Sequence, residues 1–108
     1  MPKYLLIASY SPEGAKGVLA KGGSARREAA TKAVESAGGK VECFYFGFGS
    51  DDAYVVVDYP DHASAAATSL TVSAGGAVQL RTVVLMTPEE MDDAAKKSKS
   101  VVYVPPGK

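Results

Sequence analysis

The chain has 108 residues, with 12 Lys and Arg against 12 Asp and Glu and no net charge at pH 7. A chain of this length closes one core over roughly two-thirds of the surface it would expose unfolded, so a single domain is expected. A neutral chain builds no field that concentrates phosphate backbones or anionic lipid, so neither nucleic acid nor a membrane surface is an expected partner.

No run reaches the roughly twenty apolar residues a membrane span needs. The opening Met-Pro-Lys-Tyr-Leu-Leu-Ile-Ala reads as the start of a strand, not as a secretory leader. The one cysteine, Cys43, sits in an apolar run. A small buried hydrophobe in a reducing, cytoplasmic setting is the expectation for it.

In chain order, residues 3 to 10 predict a strand. Ser11-Pro12-Glu13 then offers an N-cap, an N1 proline and an acidic first turn, so a helix follows over about 12 to 20. Gly22-Gly23 stops it, and Ser24 is placed to cap a second helix over about 24 to 37. That helix carries a stripe of small residues, Ala29, Ala30, Ala33, Val34 and Ala37, which lets its axis lie close to a sheet. Gly38-Gly39 turns the chain back.

Two strands follow, about 40 to 48 and 53 to 59, around Gly49-Ser50-Asp51-Asp52. The expected pairing sets Phe48 opposite Ala53, Phe46 opposite Val55 and Phe44 opposite Val57 on one face. Val41, Cys43, Tyr45 and Gly47 then share the other face with Tyr54, Val56 and Asp58. Asp61 caps a helix running to about 74, and Gly75-Gly76 ends it. A strand over about 77 to 86 leads into Thr87-Pro88-Glu89-Glu90, a capping box with proline at N1. The last helix places Glu89, Glu90, Asp92 and Asp93 early and Lys96, Lys97 and Lys99 late, in agreement with its dipole. The tail, VVYVPPGK, is extended because Pro105-Pro106 cannot continue a helix.

The order is α+β and ferredoxin-like, βαββαβ, with an antiparallel sheet, helices on one face, an extra C-terminal helix and an extended tail. Both faces of the central hairpin read as apolar, whereas an uncovered sheet face should be polar. A second copy of the chain is the expected cover, as a homodimer or larger assembly.

The chain resembles the GYD domain family of small bacterial and archaeal proteins. The resemblance lies in KYLLIASYSPEG, in GGSARREAATKAVESAGGKVECFYFGFG, in the turn Gly49-Ser50-Asp51-Asp52, in VVVDYPD and in RTVVLMTPEEM. Gly49 and Asp52 match the family's glycine and aspartate, and Asp51 stands where its signature has tyrosine. The resemblance implies a ferredoxin-like domain similar in architecture to dimeric α/β barrels, and it implies no particular activity.

No catalytic, metal or nucleotide motif is complete. Asp51 and Asp52 read as turn residues that hydrogen-bond local backbone. If one is a catalytic base it is Asp52, on the side of Tyr45 and Tyr54. His62, the only histidine, is expected to be exposed. With so few ligands no metal is expected, and no cofactor is called for. Arg81 interrupts an apolar strand and requires an acidic partner, Asp58 or a carboxylate of a second copy, with an anionic ligand as the alternative. Tyr10 and Arg26 lie where a cleft could open. FYFGFG also resembles the base-stacking platform of RNA-recognition domains, but on the wrong strand and without flanking basic residues. The leading expectation is a self-associating protein that binds a small apolar or aromatic ligand between sheet and helices, with Tyr10, Tyr45, Tyr54 and Arg81 as ligand-binding candidates. The alternative is a cofactor-independent enzyme, with Asp52 as base and Tyr45, Tyr54 and Arg81 orienting an oxygenated aromatic substrate.

Overall fold

A computed structural model describes residues 1–108. In chain order it shows β1 (Lys3–Tyr10), α1 (Pro12–Lys21), α2 (Gly23–Ser36), β2 (Lys40–Phe46), β3 (Ala53–Asp58), α3 (His62–Ala74), β4 (Val78–Leu85) and α4 (Pro88–Ser98). The strands form one antiparallel sheet in the order β2-β3-β1-β4, which fits a ferredoxin-like βαββαβ unit.

Side-chain chemistry sets the helix starts. The Ser11 hydroxyl accepts from the Gly14 N–H, with Pro12 in the first turn. Asp61 accepts from the Ser64 N–H at 2.8 Å, and Thr87 and Glu90 close a capping box at 3.0 and 3.1 Å. The break between α1 and α2 falls at Gly22, whose φ of +86° belongs to the left-handed region that glycine tolerates. Ser24 does not cap α2; Gly22 stands at that position with no side-chain bond, and Ser24 lies in the first turn.

Donation from Ser64 holds the Asp61 carboxyl below its ordinary value of 3.8. A carboxyl lowered by folding contributes stability that is present above the unfolded value and lost as pH falls through the folded one. Asn also caps a helix but does not titrate near pH 3. In an acid titration followed by circular dichroism, Asp61→Asn is therefore expected to lose less stability below pH 3.8 than the natural chain.

The core lies between the sheet and α2 and α3. Tyr4, Leu6, Val34, Val55, Val57, Tyr59 and Ala65 form its main cluster, and Ala8, Ala53 and Val78 a second. Tyr59 is fully buried and stacks edge-on against Tyr4, yet its hydroxyl finds no hydrogen-bond partner. An unpaired buried hydroxyl costs about 1–3 kcal/mol. Tyr59→Phe is expected to raise the midpoint of chemical denaturation. The Tyr4 hydroxyl is instead satisfied by Nδ1 of His62, an exposed residue at the start of α3.

The hairpin departs from the expected register. Phe46 pairs with Ala53 and Phe44 with Val55, two residues short of the expected alignment, and Val41 with Val57, three residues short. β2 ends at Phe46, Gly47 N–H donates to the Asp52 carbonyl at 2.9 Å, and Phe48 is left fully exposed in the connection. Glu42 is an extra residue between Val41 and Cys43, a bulge that turns Val41 to the core side. Its carboxylate reaches Lys3 at 3.1 Å, and Lys3 also meets Asp58 at 2.9 Å. An exposed charged residue that finds a partner across the sheet tolerates the irregularity.

Candidate functional site

Alternation along the strands sends Leu5, Ile7, Cys43, Tyr45, Tyr54, Val56, Val83 and Arg81 to the sheet face away from the core. No element of the chain covers that face. Tyr45 is 69% exposed, Tyr54 37% and Val83 41%. Lys3, Lys40 and Asp58 lie in the outermost row at one end of this apolar centre. At the other end, Arg81 Nη2 meets Asp51 Oδ2 at 2.8 Å, and Ser9 Oγ donates to Asp51 Oδ1 at 3.1 Å.

Arg81 is therefore neither buried nor paired with Asp58. Its side chain is 66% exposed against 14% for Asp51. Its acidic neighbour on this face is Asp51, not Asp52. The Asp52 carboxylate accepts from the Tyr10 backbone N–H at 2.8 Å, while its own N–H donates to the Ala8 carbonyl, so the residue extends the β1–β3 ladder by one side-chain bond. Asp52 and Arg81, grouped in the enzyme reading, thus have different partners at the same end of the sheet: Asp52 bonds the β1 backbone and Arg81 bonds Asp51. Both carboxylates tie the connection to β1 and β4 through partners at least 30 residues away, not to the local backbone that the turn reading expects.

The core side holds the second constellation. A cavity of about 50 Å³ lies between the sheet and α2 and α3, walled by Ala30, Val34, Phe44, Val55, Val72 and Leu80, with Tyr10 and Arg26 on its rim. The space left after a leucine-to-alanine truncation takes benzene at about 150 Å³, so this interior space alone is smaller than an aromatic ring requires. It adjoins a cleft of about 320 Å³ between α1 and α2 that Tyr10, Arg26 and Val78 also line. Gly14, Gly17 and Gly22 line the cleft too, and a Cβ at Gly17 or Gly22 would meet nothing within 4 Å. Missing side chains leave the cleft open.

Tyr10 and Arg26 stand where cavity and cleft meet. Burial raises the Tyr10 phenol above its ordinary value of 10.0, Arg26 opposes the rise and Asp52 adds to it. The phenol therefore stays protonated at neutral pH and can donate a hydrogen bond. Arg26 is partly buried and takes part in no ion pair. Of the candidates read from the sequence, the structure joins Tyr10 with Arg26 on the core side and Tyr45, Tyr54 and Arg81 on the open face. It does not join the two groups. Gly17 and Gly22, where a side chain would enter open space, keep the cleft open, whereas Gly14 lets α1 approach the Ala77 carbonyl. A glycine within α1 and another just past its end were the available signal. No group of three or more His, Cys, Asp or Glu side chains converges as a metal site, and no helix is long and apolar enough to cross a membrane.

An antiparallel sheet with one face packed by helices, one face bare and a cleft at the helical layer defines an α+β domain of ferredoxin-like type. The chain belongs to the GYD domain family, whose model matches residues 4–95. Comparisons with curated proteins and with solved structures found no match.

Proposed function

We propose that this GYD-domain protein works as a pair of copies joined through their open sheet faces, each copy holding a small apolar or aromatic molecule with an anionic head group. The body of the ligand enters the apolar space under α2, and the head group meets Arg26 and the Tyr10 hydroxyl. One observation carries the ligand reading: Arg26, a partly buried residue that lines an apolar cavity beside Tyr10, its hydrogen-bonding neighbour, has no carboxylate within ion-pair reach. A guanidinium withdrawn from water is favourable only with a charged or strongly hydrogen-bonding partner, and a small carboxylate supplies one in bidentate geometry. Self-association rests on the apolar row Cys43–Val56–Leu5–Val83 across the bare face, with charged and polar residues at both ends. That is the layout of an interface core with a polar rim.

The cavity must widen to take a ring, and the glycine-lined cleft gives it room to do so. Thermal-shift titration with 4-hydroxybenzoate and octanoate, against benzyl alcohol as the uncharged control, tests the reading. Stabilisation by a carboxylate and not by the alcohol is expected. Arg26→Ala should weaken that binding by about tenfold to a hundredfold, the range of a lost charge-assisted hydrogen bond. Gly17→Leu, which puts a side chain into open space in the cleft, should abolish it without unfolding the chain. Equal response to acid and alcohol, or binding that survives both substitutions, rejects the site.

A further inference from the structure

We propose that residues Val101–Val104 of one copy add as a fifth strand to the free edge of β4 in a second copy, carried there by α4. The inference rests on the self-association reading above and assigns that assembly a second contact. The tail has the composition of a strand, Val-Val-Tyr-Val, β-branched or aromatic throughout. Apart from the Val101 N–H, which donates to the Ser98 carbonyl at 3.0 Å, it is unpaired in the single chain, with Val101, Val102, Tyr103 and Val104 between 66% and 92% exposed. Pro105 and Pro106 lack the N–H that a ladder needs, so strand character stops after Val104. The segment is thus a bounded four-residue strand without a neighbour.

The missing neighbour is present elsewhere on the molecule. β4 is an outer strand of the sheet, bonded to β1 on one side only. Its register with β1 runs unbroken from Val78 to Leu85, with no bulge, and the strand contains no proline. A long regular edge of this kind is normally covered or interrupted, because its free N–H and C=O groups recruit another strand. Beside it, on the helix side, an open apolar groove runs between β4 and α3, lined by Tyr4, Ala66, Leu70 and Val84. Leu70 is 72% exposed and Val84 57%. Alternate side chains of an added strand would lie in that groove and on the bare sheet face.

The geometry of α4 directs the tail outward. The helix starts three residues after β4 ends, and its capping box fixes the exit direction. Eleven residues then carry the chain about 16 Å outward, and α4 buries no residue of its own. The molecule accordingly measures 55 × 33 × 23 Å with a radius of gyration of 17.1 Å, where a compact chain of this length has about 13 Å. An arm that stands off its own body and ends in an unpaired strand fits a reciprocal exchange, in which a two-fold axis makes the contact twice. The sheet faces alone leave room for it. Four strands of about seven residues cover roughly 20 × 23 Å, about 460 Å² per copy and on the order of 900 Å² for the pair, below the roughly 1,200 Å² at which stable specific interfaces begin.

The test uses full-length chains with Cys43→Ala, one set carrying Val104→Cys and the other, isotopically heavy, carrying Val84→Cys. After mixing and re-equilibration, a short bis-maleimide is added and the products are weighed by mass spectrometry. Exchange of arms makes the heavy–light pair, linked between positions 104 and 84, the main product. Proline at both Val102 and Tyr103 removes the N–H groups on either side of the tail and should lower that yield at least tenfold. A dimer without the link, or a link indifferent to the two prolines, overturns arm exchange and leaves self-association standing. A chain carrying both cysteines that links chiefly to itself also overturns it, and a monomer overturns both readings.

Discussion

Gly39→Ala is expected to cost about 3 kcal/mol, at the upper end of what overpacking a filled site costs. A Cβ at residue 39 would come within 2.6 Å of the Asp58 carbonyl oxygen and 2.7 Å of the Tyr59 ring. Neither neighbour can yield cheaply. Asp58 is the partner of both Lys40 and Lys3 in the sheet, and Tyr59 is fully buried in the main core cluster. Moving either one opens the β2–β3 ladder or the core. For a domain of this size the loss corresponds to a fall in Tm of roughly 12–18 °C. Gly17→Ala is the matched control, since its Cβ enters open space on a helix. It should stabilise by about 0.5–1 kcal/mol through helix propensity alone. Equal effects from the two alanines would contradict the packing at Gly39.

Val56→Glu is expected to dissociate the proposed pair while leaving each copy folded. Val56 lies on the bare face in a central strand, between Cys43 and Leu5. In a free copy the new carboxylate reaches water. In a face-to-face pair it is buried without a partner, which costs about 3–5 kcal/mol and weakens association more than a hundredfold. Val56→Thr, which keeps the shape and adds only a hydroxyl, should leave most of the pair intact. Light scattering across a dilution series, with circular dichroism as the folding check, reads both variants.

The elements were legible where chemistry is local. Ser11-Pro12, Asp61 and Thr87-Pro88-x-Glu90 announce helix starts through bonds made within three residues, and all three form as read. The face assignment of the hairpin held for Phe44, Phe46, Tyr45 and Tyr54, because period-two alternation survives a shift of two residues. Its register did not, since lengthening a connection by two residues costs little and the Gly47–Asp52 closure depends on where β1 lies. The bulge at Glu42 was equally hidden, its partner Lys3 being 39 residues away. At the site, Tyr10 and Arg26 could be named from the chain, whereas the separation of Asp52 from Arg81 follows from the ladder bond to Tyr10 N–H. That bond is a fact of three strands meeting, which no single stretch of sequence contains.

The proposed pairing of sheet faces is tested most directly by a native mass spectrum of the full chain under gentle ionisation. The expected result is a species at twice the 11.2 kDa chain mass or a higher multiple, with any retained ligand visible as a reproducible extra mass. A bare monomer at 11.2 kDa would contradict the pairing of sheet faces. It would leave Tyr45 and Tyr54 as an open aromatic surface, with single-stranded RNA as the next probe.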